Sequence, residues 1–293
     1  MRRREFITLL GTAAAWPLSV RAQQPAMPVI GFLSPGSPES DVVRLTGVRQ
    51  GLKESGYVEG QNVAIEYRFA HGQNDRLPAL AAELVERRVA GIVTAGTPAT
   101  LAAKAATATV PIVFNTGVDP VQFGFAASLS RPGGNLTGVV ILSGDLAAKK
   151  LEVLHELLPD AAVVAMLVNP ANPIVEPESK ETQDAARSLG VELHILRAST
   201  AGEIDAAFAS LAKLRARALV VSDDSYFINQ RAQIMALAAR DAVPTISGWR
   251  AFPLAGGLMS YGTDLADAYR QVGLYAGKSS RASGPPIYRC NRS

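Results

Sequence analysis

The sequence has little of what disulfide, metal and cofactor chemistry require. Its 293 residues include one cysteine, Cys290, and three histidines, His71, His155 and His194. A single cysteine excludes an intrachain disulfide and a cysteine metal cluster. The histidines lack the spacing of a zinc site. We therefore predict that the protein binds no metal and no cofactor.

Common catalytic and nucleotide-binding motifs are also missing. No Gly-x-Ser-x-Gly elbow occurs, and the glycines at 31 and 36 do not have the Gly-x-Gly-x-x-Gly spacing of a dinucleotide site. The sequence therefore predicts a protein that is not an enzyme.

Positive charge is concentrated at the N-terminus. The first 22 residues hold four arginines and one glutamate, which accounts for the whole formal net charge of +3. The rest of the chain is near neutral and has no stripe of Lys and Arg with interleaved aromatics. We therefore expect no nucleic-acid partner.

The N-terminal segment has the pattern of an export leader. Three arginines at positions 2–4 precede an uncharged stretch, and Val20-Arg21-Ala22 is a small-x-small cleavage pattern. The Arg3-Arg4 pair resembles a twin-arginine signal, although an ordinary secretory leader is the alternative. No later apolar run approaches the roughly 18 residues of a membrane span, and no lipobox cysteine follows. We expect residues 1–22 to be a signal peptide and the product to be periplasmic, soluble and not lipid-anchored.

From residue 28 the chain alternates short apolar runs with segments of helical period, which is typical of parallel sheets covered by helices. Strands are predicted at 29–33, 62–69, 91–94, 111–114, 163–168, 191–196, 218–221 and 244–246, and 138–142 is a brief extended stretch. Helices are predicted near 39–55, 75–88, 97–106, 146–158, 177–189, 201–214 and 225–240.

These elements predict an α/β fold of two Rossmann-like lobes whose parallel sheets are joined by hinge strands. A turn-rich stretch at 131–138 separates four strands from the next four. We expect the first lobe to comprise 28–142 and 262–277, and the second 143–261. The segment 278–293 fits neither helical nor strand period and is expected to be an aberrant or truncated, disordered end.

Polar side chains follow nearly every predicted strand, where ligands of parallel sheets bind. Hydroxyls, amides and N–H groups there suit a carboxylate, whereas Asp119 or Asp223 suits an amine. Helix capping is the alternative role for several of these groups. Tyr226, Trp249, Phe252 and Tyr261 also lie near strand ends and could stack on a ligand or fill the core. The predicted ligand-binding residues are Ser34, Gly96, Thr97, Asn115, Asp119, Asn169, Asp223 and Tyr261.

Several segments together resemble the ABC-transporter substrate-binding proteins of the tryptophan/tyrosine-uptake type, within the type 1 periplasmic binding proteins. They are IGFLS (30–34), GVRQGL (47–52), GYVEGQN (56–62), IEYR (65–68), DPV (119–121), LSRPGGNLTG (129–138), KKLE (149–152) and SYG (260–262). The similarity covers 28–277. It implies that the lobes close over a small-molecule solute, an amino acid or small organic acid, and deliver it to an ABC permease in the inner membrane. The protein is expected to be a monomer.

Two other functions are compatible with the residues. A secreted α/β hydrolase or isomerase could use Asp119 and Asp223 as paired acids. A ligand-sensing partner of a membrane kinase could share the fold and the cleft.

Overall fold

The computed structural model of the chain describes residues 27–131, 133–141, 143–279 and 291–292. The predicted signal peptide, residues 1–22, lies outside the described residues. So does most of the predicted aberrant end, residues 278–293.

Strands and helices alternate along the described chain. The strands are β1 (Val29–Ser34), β2 (Ala64–Phe69), β3 (Gly91–Ala95), β4 (Ile112–Thr116), β5 (Leu136–Val140), β6 (Val163–Val168), β7 (Glu192–Arg197), β8 (Ala218–Val221), β9 (Thr245–Ser247), β10 (Met259–Ser260) and β11 (Asn291–Arg292). The helices are α1 (Val42–Glu54), α2 (Leu77–Glu86), α3 (Thr97–Ala106), α4 (Ser143–Leu157), α5 (Val175–Leu189), α6 (Ala201–Leu214), α7 (Ser225–Asn229), α8 (Arg231–Arg240) and α9 (Leu265–Ser279).

The strands form two parallel sheets with the same internal order. The first sheet runs β11-β5-β4-β3-β1-β2 and the second β10-β9-β8-β6-β7. Apart from β11, each sheet therefore has its second strand at one edge and its first, third, fourth and fifth strands in sequence beside it. This order places the ligand-binding crevice of each sheet between its first and third strands, beyond their carboxyl ends. The prediction of two parallel-sheet α/β lobes is confirmed.

The chain crosses between the lobes at two helices. Helix α4 follows β5 of the first sheet but packs on α5, β8 and β9 of the second. Helix α9 follows β10 of the second sheet but packs on α1, β3, β4 and β5 of the first. Each lobe therefore contains one helix that follows a strand of the other lobe in the chain.

Buried apolar residues cover both faces of each sheet, as near-continuous apolar strands require. Helices α1 and α9 pack closely against each other. A Cβ atom at Gly51 would lie 2.0 Å from the backbone oxygen of Arg270, and one at Gly273 would lie 2.3 Å from that of Val48. Only glycine allows the two helices to approach this closely.

The structure corrects two predictions of secondary structure. The helix predicted at 225–240 is two helices, because Gln230 has non-helical φ/ψ of −93° and 10°. Met259 and Ser260 form a strand that the sequence did not indicate, since two residues carry no period. Of the segment 278–293, the described residues are 278–279, which end α9, and 291–292, which form β11 and pair in parallel with β5; the disorder expected for this segment stays a prediction.

Within the described residues no helix combines the length and apolar character needed to cross a bilayer.

Candidate functional site

A cavity lies between the lobes, at the carboxyl ends of the strands of both sheets. Its empty volume is about 720 Å³, counting the space open to solvent. The first lobe contributes Pro35, Arg44, Asn74, Gly96, Thr97, Pro98, Asn115, Gly117 and Ile141. The second contributes Leu146, Asn172, Ile174, Asp223, Asp224, Ser225, Tyr226, Gly248 and Trp249, and the β10–α9 segment adds Thr263, Leu265 and Tyr269.

The lobes touch each other around this cavity. The Ser37 hydroxyl donates to Asn229 Oδ1 at 3.4 Å, and Asn74 Nδ2 donates to the Ala171 carbonyl at 3.2 Å. Ile174, which precedes α5 of the second lobe, packs into an apolar cluster of the first lobe. The structure is therefore a closed arrangement of the two lobes.

On the first-lobe side, the cavity meets the N-terminus of α3. Gly96 has a φ of 85°, and no side chain among the described residues caps the start of the helix. The first-turn N–H groups and the helix dipole at such a terminus favour an anion. Thr97 and Thr116 share a hydrogen bond of 2.9 Å between their hydroxyls, which fixes the loop that presents Gly96.

Beside this helix end lies an amide with unused hydrogen-bonding capacity. Asn115 is 6% exposed, and its Nδ2 has no hydrogen-bond partner among the described residues. Buried amide donors are nearly always paired in native proteins. An acceptor in the cavity would satisfy this one.

Arg44 of α1 brings a buried positive charge to the cavity wall. Its guanidinium donates to the buried Asp41 carboxylate and lies 5.1 Å from the ring centroid of Trp249 in the other lobe. Burial, the largest single influence, lowers the pKa of Arg44, but Asp41 and Tyr269 together outweigh it and hold the pKa above its ordinary value. Arg44 Nε has no partner among the described residues. Arg44 is therefore charged, and it links the two lobes at the edge of the cavity.

On the second-lobe side, Asp223 presents a carboxylate. Its Oδ1 accepts from the Gly248 N–H at 2.8 Å, and its Oδ2 lies 3.1 Å from Lys150 Nζ. The space for this carboxylate depends on glycine, because a Cβ atom at Gly248 would lie 2.3 Å from Asp223 Oδ2. The Asp223 carboxylate is thus held in one orientation by Gly248, which follows β9, and by Lys150 of α4.

Behind Asp223 lies a second, fully buried carboxyl group. Glu178 accepts from the Ser222 hydroxyl, and its Oε1 lies 3.8 Å from Lys150 Nζ. Burial raises the pKa of Glu178 to about 7; Lys150 opposes this rise, and Asp223 adds to it. Glu178 can therefore take up or lose a proton near neutral pH.

Asp224 also lines the cavity, but its carboxylate is hydrogen-bonded within the surrounding loops. It caps α7 by accepting from the Tyr226 N–H, and it also accepts from Asn169 Nδ2 at 3.1 Å and Asn172 Nδ2 at 2.7 Å. Burial raises its pKa, against the two amide bonds, which lower it. This network ties the loop after β6 to the loop after β8.

Four predicted ligand-binding residues line the cavity together: Gly96, Thr97, Asn115 and Asp223. They come from the ends of β3, β4 and β8, which the two sheets bring to one point. Their contact with a ligand stays a prediction, and the shared cavity supports it.

The other four predicted residues are not among those that line the cavity, and three of them, Ser34, Asp119 and Asn169, have a local role. The Ser34 hydroxyl accepts from the Gly36 N–H at 3.0 Å, and Asp119 Oδ1 accepts from the N–H groups of Val121 and Gln122. The Asn169 side chain donates a hydrogen bond to the Asp224 carboxylate, and Tyr261 is 39% exposed. Capping and turn formation, the alternative weighed from the sequence, accounts for Ser34, Asp119 and Asn169.

The aromatic residues near strand ends divide in the same way. Tyr226 and Trp249 line the cavity, whereas Phe252 is buried in the core of the second lobe. The paired acids of the enzyme hypothesis are not brought together, because Asp119 lies in a turn outside the cavity wall that contains Asp223.

Sequence reasoning missed three charged residues at or behind the site: Arg44, Lys150 and Glu178. All three lie on helices, at or near full burial. The prediction considered only the segments after strands. The one available signal was a charged residue on the apolar side of an amphipathic helix, as with Lys150 next to Leu151 and Leu154.

The arrangement has opposite polarity on its two sides. The first lobe offers a helix N-terminus and an amide donor, and the second offers a carboxylate. Ile174, Leu265 and the aromatic rings form apolar walls between them. Within the described residues, no group of three or more His, Cys, Asp or Glu side chains is arranged to hold a metal ion.

Comparison with known proteins gives consistent results. The family profile described as ABC transporter substrate binding protein matches residues 30–281. A tyrosine-binding protein of Clostridioides difficile (strain R20291) is 27% identical over 233 residues, which are 79% of this chain and 65% of the relative. The chain therefore spans a little under two thirds of that relative's length.

Solved structures share the fold. A conserved domain protein from Vibrio cholerae O1 biovar El Tor strain N16961 superposes with a TM-score of 0.84 at 22% identity. An ABC domain from Streptococcus pneumonia, solved in complex with L-Trp, superposes with a TM-score of 0.83 at 21% identity. Each comparison covers 91% of this chain and 89% of the other.

Proposed function

Since the chain belongs to the family of ABC transporter substrate-binding proteins, we propose that it binds a free amino acid in the cavity between its lobes. Binding holds the lobes in the closed arrangement, because the ligand contacts both lobes only when they are closed. The family consists of binding proteins, so Asp223 has a binding role and not a catalytic one.

The observation that carries this proposal is the opposite polarity of the two cavity walls. The ligand's carboxylate faces the α3 N-terminus and the unpaired amide of Asn115. Its ammonium faces Asp223, whose carboxylate is fixed by Gly248. A zwitterion satisfies both walls at once, whereas a simple acid or amine satisfies one.

The apolar walls favour an aromatic side chain. Tyr226, Trp249 and Tyr269 line the cavity together with Leu265 and Ile174. Ring stacking on such residues adds to apolar burial. The relatives described above include a tyrosine-binding protein and a domain in complex with L-Trp. Aromatic amino acids are therefore the first ligands to test.

Titration calorimetry of the purified protein tests the proposal. L-tyrosine, L-tryptophan and L-phenylalanine are compared with their amides, which lack the carboxylate, and their N-acetyl derivatives, which lack the ammonium. We expect an intact amino acid to bind and both derivatives of it to bind at least tenfold more weakly, since a hydrogen bond to a charged group contributes about 1.5–3 kcal/mol. Failure of every amino acid to bind would contradict the proposal.

Two aspartates at strand ends provide a matched pair of variants. Asp223→Asn removes the charge that faces the ammonium, so we expect a loss of about tenfold or more in affinity. Asp119→Asn changes the same residue type in a turn outside the cavity wall, so we expect the affinity to be unchanged. Equal effects of the two substitutions would contradict the assignment of Asp223.

We further propose that the protein is exported to the periplasm, remains soluble without a lipid anchor, acts as a monomer and delivers its ligand to an ABC permease. The leader pattern at 1–22, with its Arg3-Arg4 pair, supports export. Replacing both arginines by lysine should leave the protein in the cytoplasm if the twin-arginine route is used. Export of the doubly substituted protein at the normal level would indicate an ordinary secretory leader.

A further inference from the structure

Lys150, Asp223 and Glu178 form a buried triad in which only Asp223 reaches the cavity. Lys150 Nζ lies 3.1 Å from Asp223 Oδ2 and 3.8 Å from Glu178 Oε1. The side chains of Lys150 and Glu178 are 0% exposed, and that of Asp223 is 11% exposed. One buried cation is therefore shared by two carboxyl groups, of which one belongs to the ligand cavity.

We propose that Lys150 passes the protonation state of Glu178 to the cavity, so that a cationic group bound beside Asp223 expels a proton from Glu178. The proposal rests on the proposed function, which places the ligand's ammonium at Asp223. The residues act as follows: Asp223 contacts the ligand, and Lys150 and Glu178 are positioning residues that act through it.

The balance of charge in the triad gives the reason. When Glu178 is neutral, Lys150 already neutralises Asp223, so an incoming ammonium adds an unpaired charge to a buried site. When Glu178 is ionised, the triad carries one net negative charge, which the ammonium neutralises. Because an unpaired buried charge is costly, the ligand's ammonium and the ionised form of Glu178 stabilise each other. The proton leaves to solvent, and the two equilibria are reciprocal.

The groups that face Glu178 allow this exchange near neutral pH. Burial raises the pKa of Glu178 to about 7; Lys150 and the Ser222 hydroxyl lower it, while Asp223 and Asp224 raise it. These residues come from α4 and from the loop after β8. Both protonation states of Glu178 are therefore populated in the free protein around pH 7.

The first measurement is ligand affinity from about pH 5.5 to about pH 7.5, a range that lies below the pKa of an α-ammonium and well above that of an α-carboxylate, so that the ligand keeps both charges. We expect the affinity of the wild-type protein to rise with pH by up to about tenfold, as a lowering of one pKa unit on binding gives. Glu178→Gln keeps the size and hydrogen-bonding capacity of the side chain but cannot ionise. In this variant we expect a flat profile.

Glu181→Gln is the matched control, because Glu181 is an exposed residue on the same helix. We expect this variant to keep the wild-type profile. A rise with pH that persists in Glu178→Gln would assign the effect to another group and overturn the proposal.

The second measurement counts the proton directly. Calorimetric titrations at about pH 6.5 in two buffers of different ionisation enthalpy report the protons released per ligand bound. We expect a fraction of a proton to be released by the wild-type protein and none from this site in Glu178→Gln. Binding with equal heats in both buffers would overturn the proposal while leaving amino-acid binding intact.

The third measurement needs no ligand. The carboxyl ¹³C resonance of Glu178, identified by its loss in Glu178→Gln, is followed as a function of pH in the free protein. We expect a midpoint near 7, as burial beside Lys150 and Asp223 implies. A midpoint at the ordinary value of a glutamate would overturn the inference even if no amino acid were found to bind.

Discussion

The guanidinium of Arg44 in one lobe lies 5.1 Å from the centroid of the Trp249 indole in the other. Trp249 is held by its own loop, since its backbone N–H donates to Ser247 Oγ at 3.2 Å. This contact exists only when the lobes are closed. It therefore contributes to the closed state even before a ligand is considered, and the ligand adds to it.

Arg44→Lys keeps the positive charge but should destabilise the closed arrangement of the two lobes. Lysine lacks the planar group that stacks on an indole, and a cation–π contact of this kind contributes about 1 kcal/mol. We expect the radius of gyration of the free protein in small-angle scattering to increase and the ligand affinity to fall about fivefold.

Arg49→Lys is the control for this substitution. Arg49 lies on the same helix, 5.7 Å from the Tyr67 ring centroid, and both residues belong to the first lobe. Its replacement should leave both the scattering curve and the affinity unchanged. Equal changes in the two variants would show that the contact with Trp249 does not govern closure.

Gly51→Ala should destabilise the first lobe. The added methyl group would collide with the backbone of α9 at 2.0 Å, and overpacking of this kind costs about 1–3 kcal/mol. Urea denaturation should show the loss of unfolding free energy.

Gly202→Ala is the comparison for Gly51→Ala, and we expect its effect on stability to have the opposite sign. Gly202 lies in α6, and among the described residues no atom beyond its chain neighbours and the adjacent helix backbone lies within 4 Å of a Cβ atom built there. We expect this variant to be more stable than the wild-type protein by about 0.5–1 kcal/mol, since glycine is unfavourable inside a helix. A loss of stability there would contradict the packing argument.

Thr200→Ala should remove the N-terminal cap of α6. The Thr200 hydroxyl accepts from the Glu203 N–H at 3.2 Å, and the Glu203 carboxylate accepts in return from the Thr200 N–H. We expect a loss of about 1 kcal/mol in unfolding free energy. Thr46→Ala, which removes an exposed hydroxyl bonded only to the Val42 carbonyl within α1, should change stability by less than about 0.5 kcal/mol.

The capping box at Thr200 shows why much of the fold could be predicted. Its residues are three positions apart, so the sequence holds all of the interaction. The apolar runs that form β1, β3, β6 and β8 are likewise continuous in the sequence, so these strands can be recognised from it directly. Parallel sheets then follow from the alternation of these runs with helical segments.

The candidate site could be predicted only in part, because only some of its contacts are encoded by neighbouring positions in the sequence. Gly96, Asn115 and Asp223 lie at or just beyond the carboxyl ends of strands, where the fold places ligand contacts. Lys150 and Glu178 meet Asp223 only because two helices and a strand from distant parts of the chain pack together. No spacing along the sequence encodes that contact.

The stability of the protein should depend on pH through Glu178. Folding raises the pKa of Glu178 from 4.5 to about 7. Its stabilising contribution is therefore fully present below pH 4.5 and is lost as the pH rises to about 7. Relative to Glu178→Gln, the wild-type protein should lose up to about 3 kcal/mol of unfolding free energy over this interval. Denaturation at several pH values checks this, and a constant difference between the two proteins would contradict it.

The position of α9 has a consequence for the order of synthesis. The apolar face of α1, with Val48 and Leu52, is covered by Tyr269 and Val272 of α9. A ribosome makes α1 early and α9 only after the whole second sheet. The nascent first lobe therefore carries an uncovered apolar face while some two hundred further residues are added, in which state it is open to aggregation and to chaperones. The lobe that is begun first is the last to be finished.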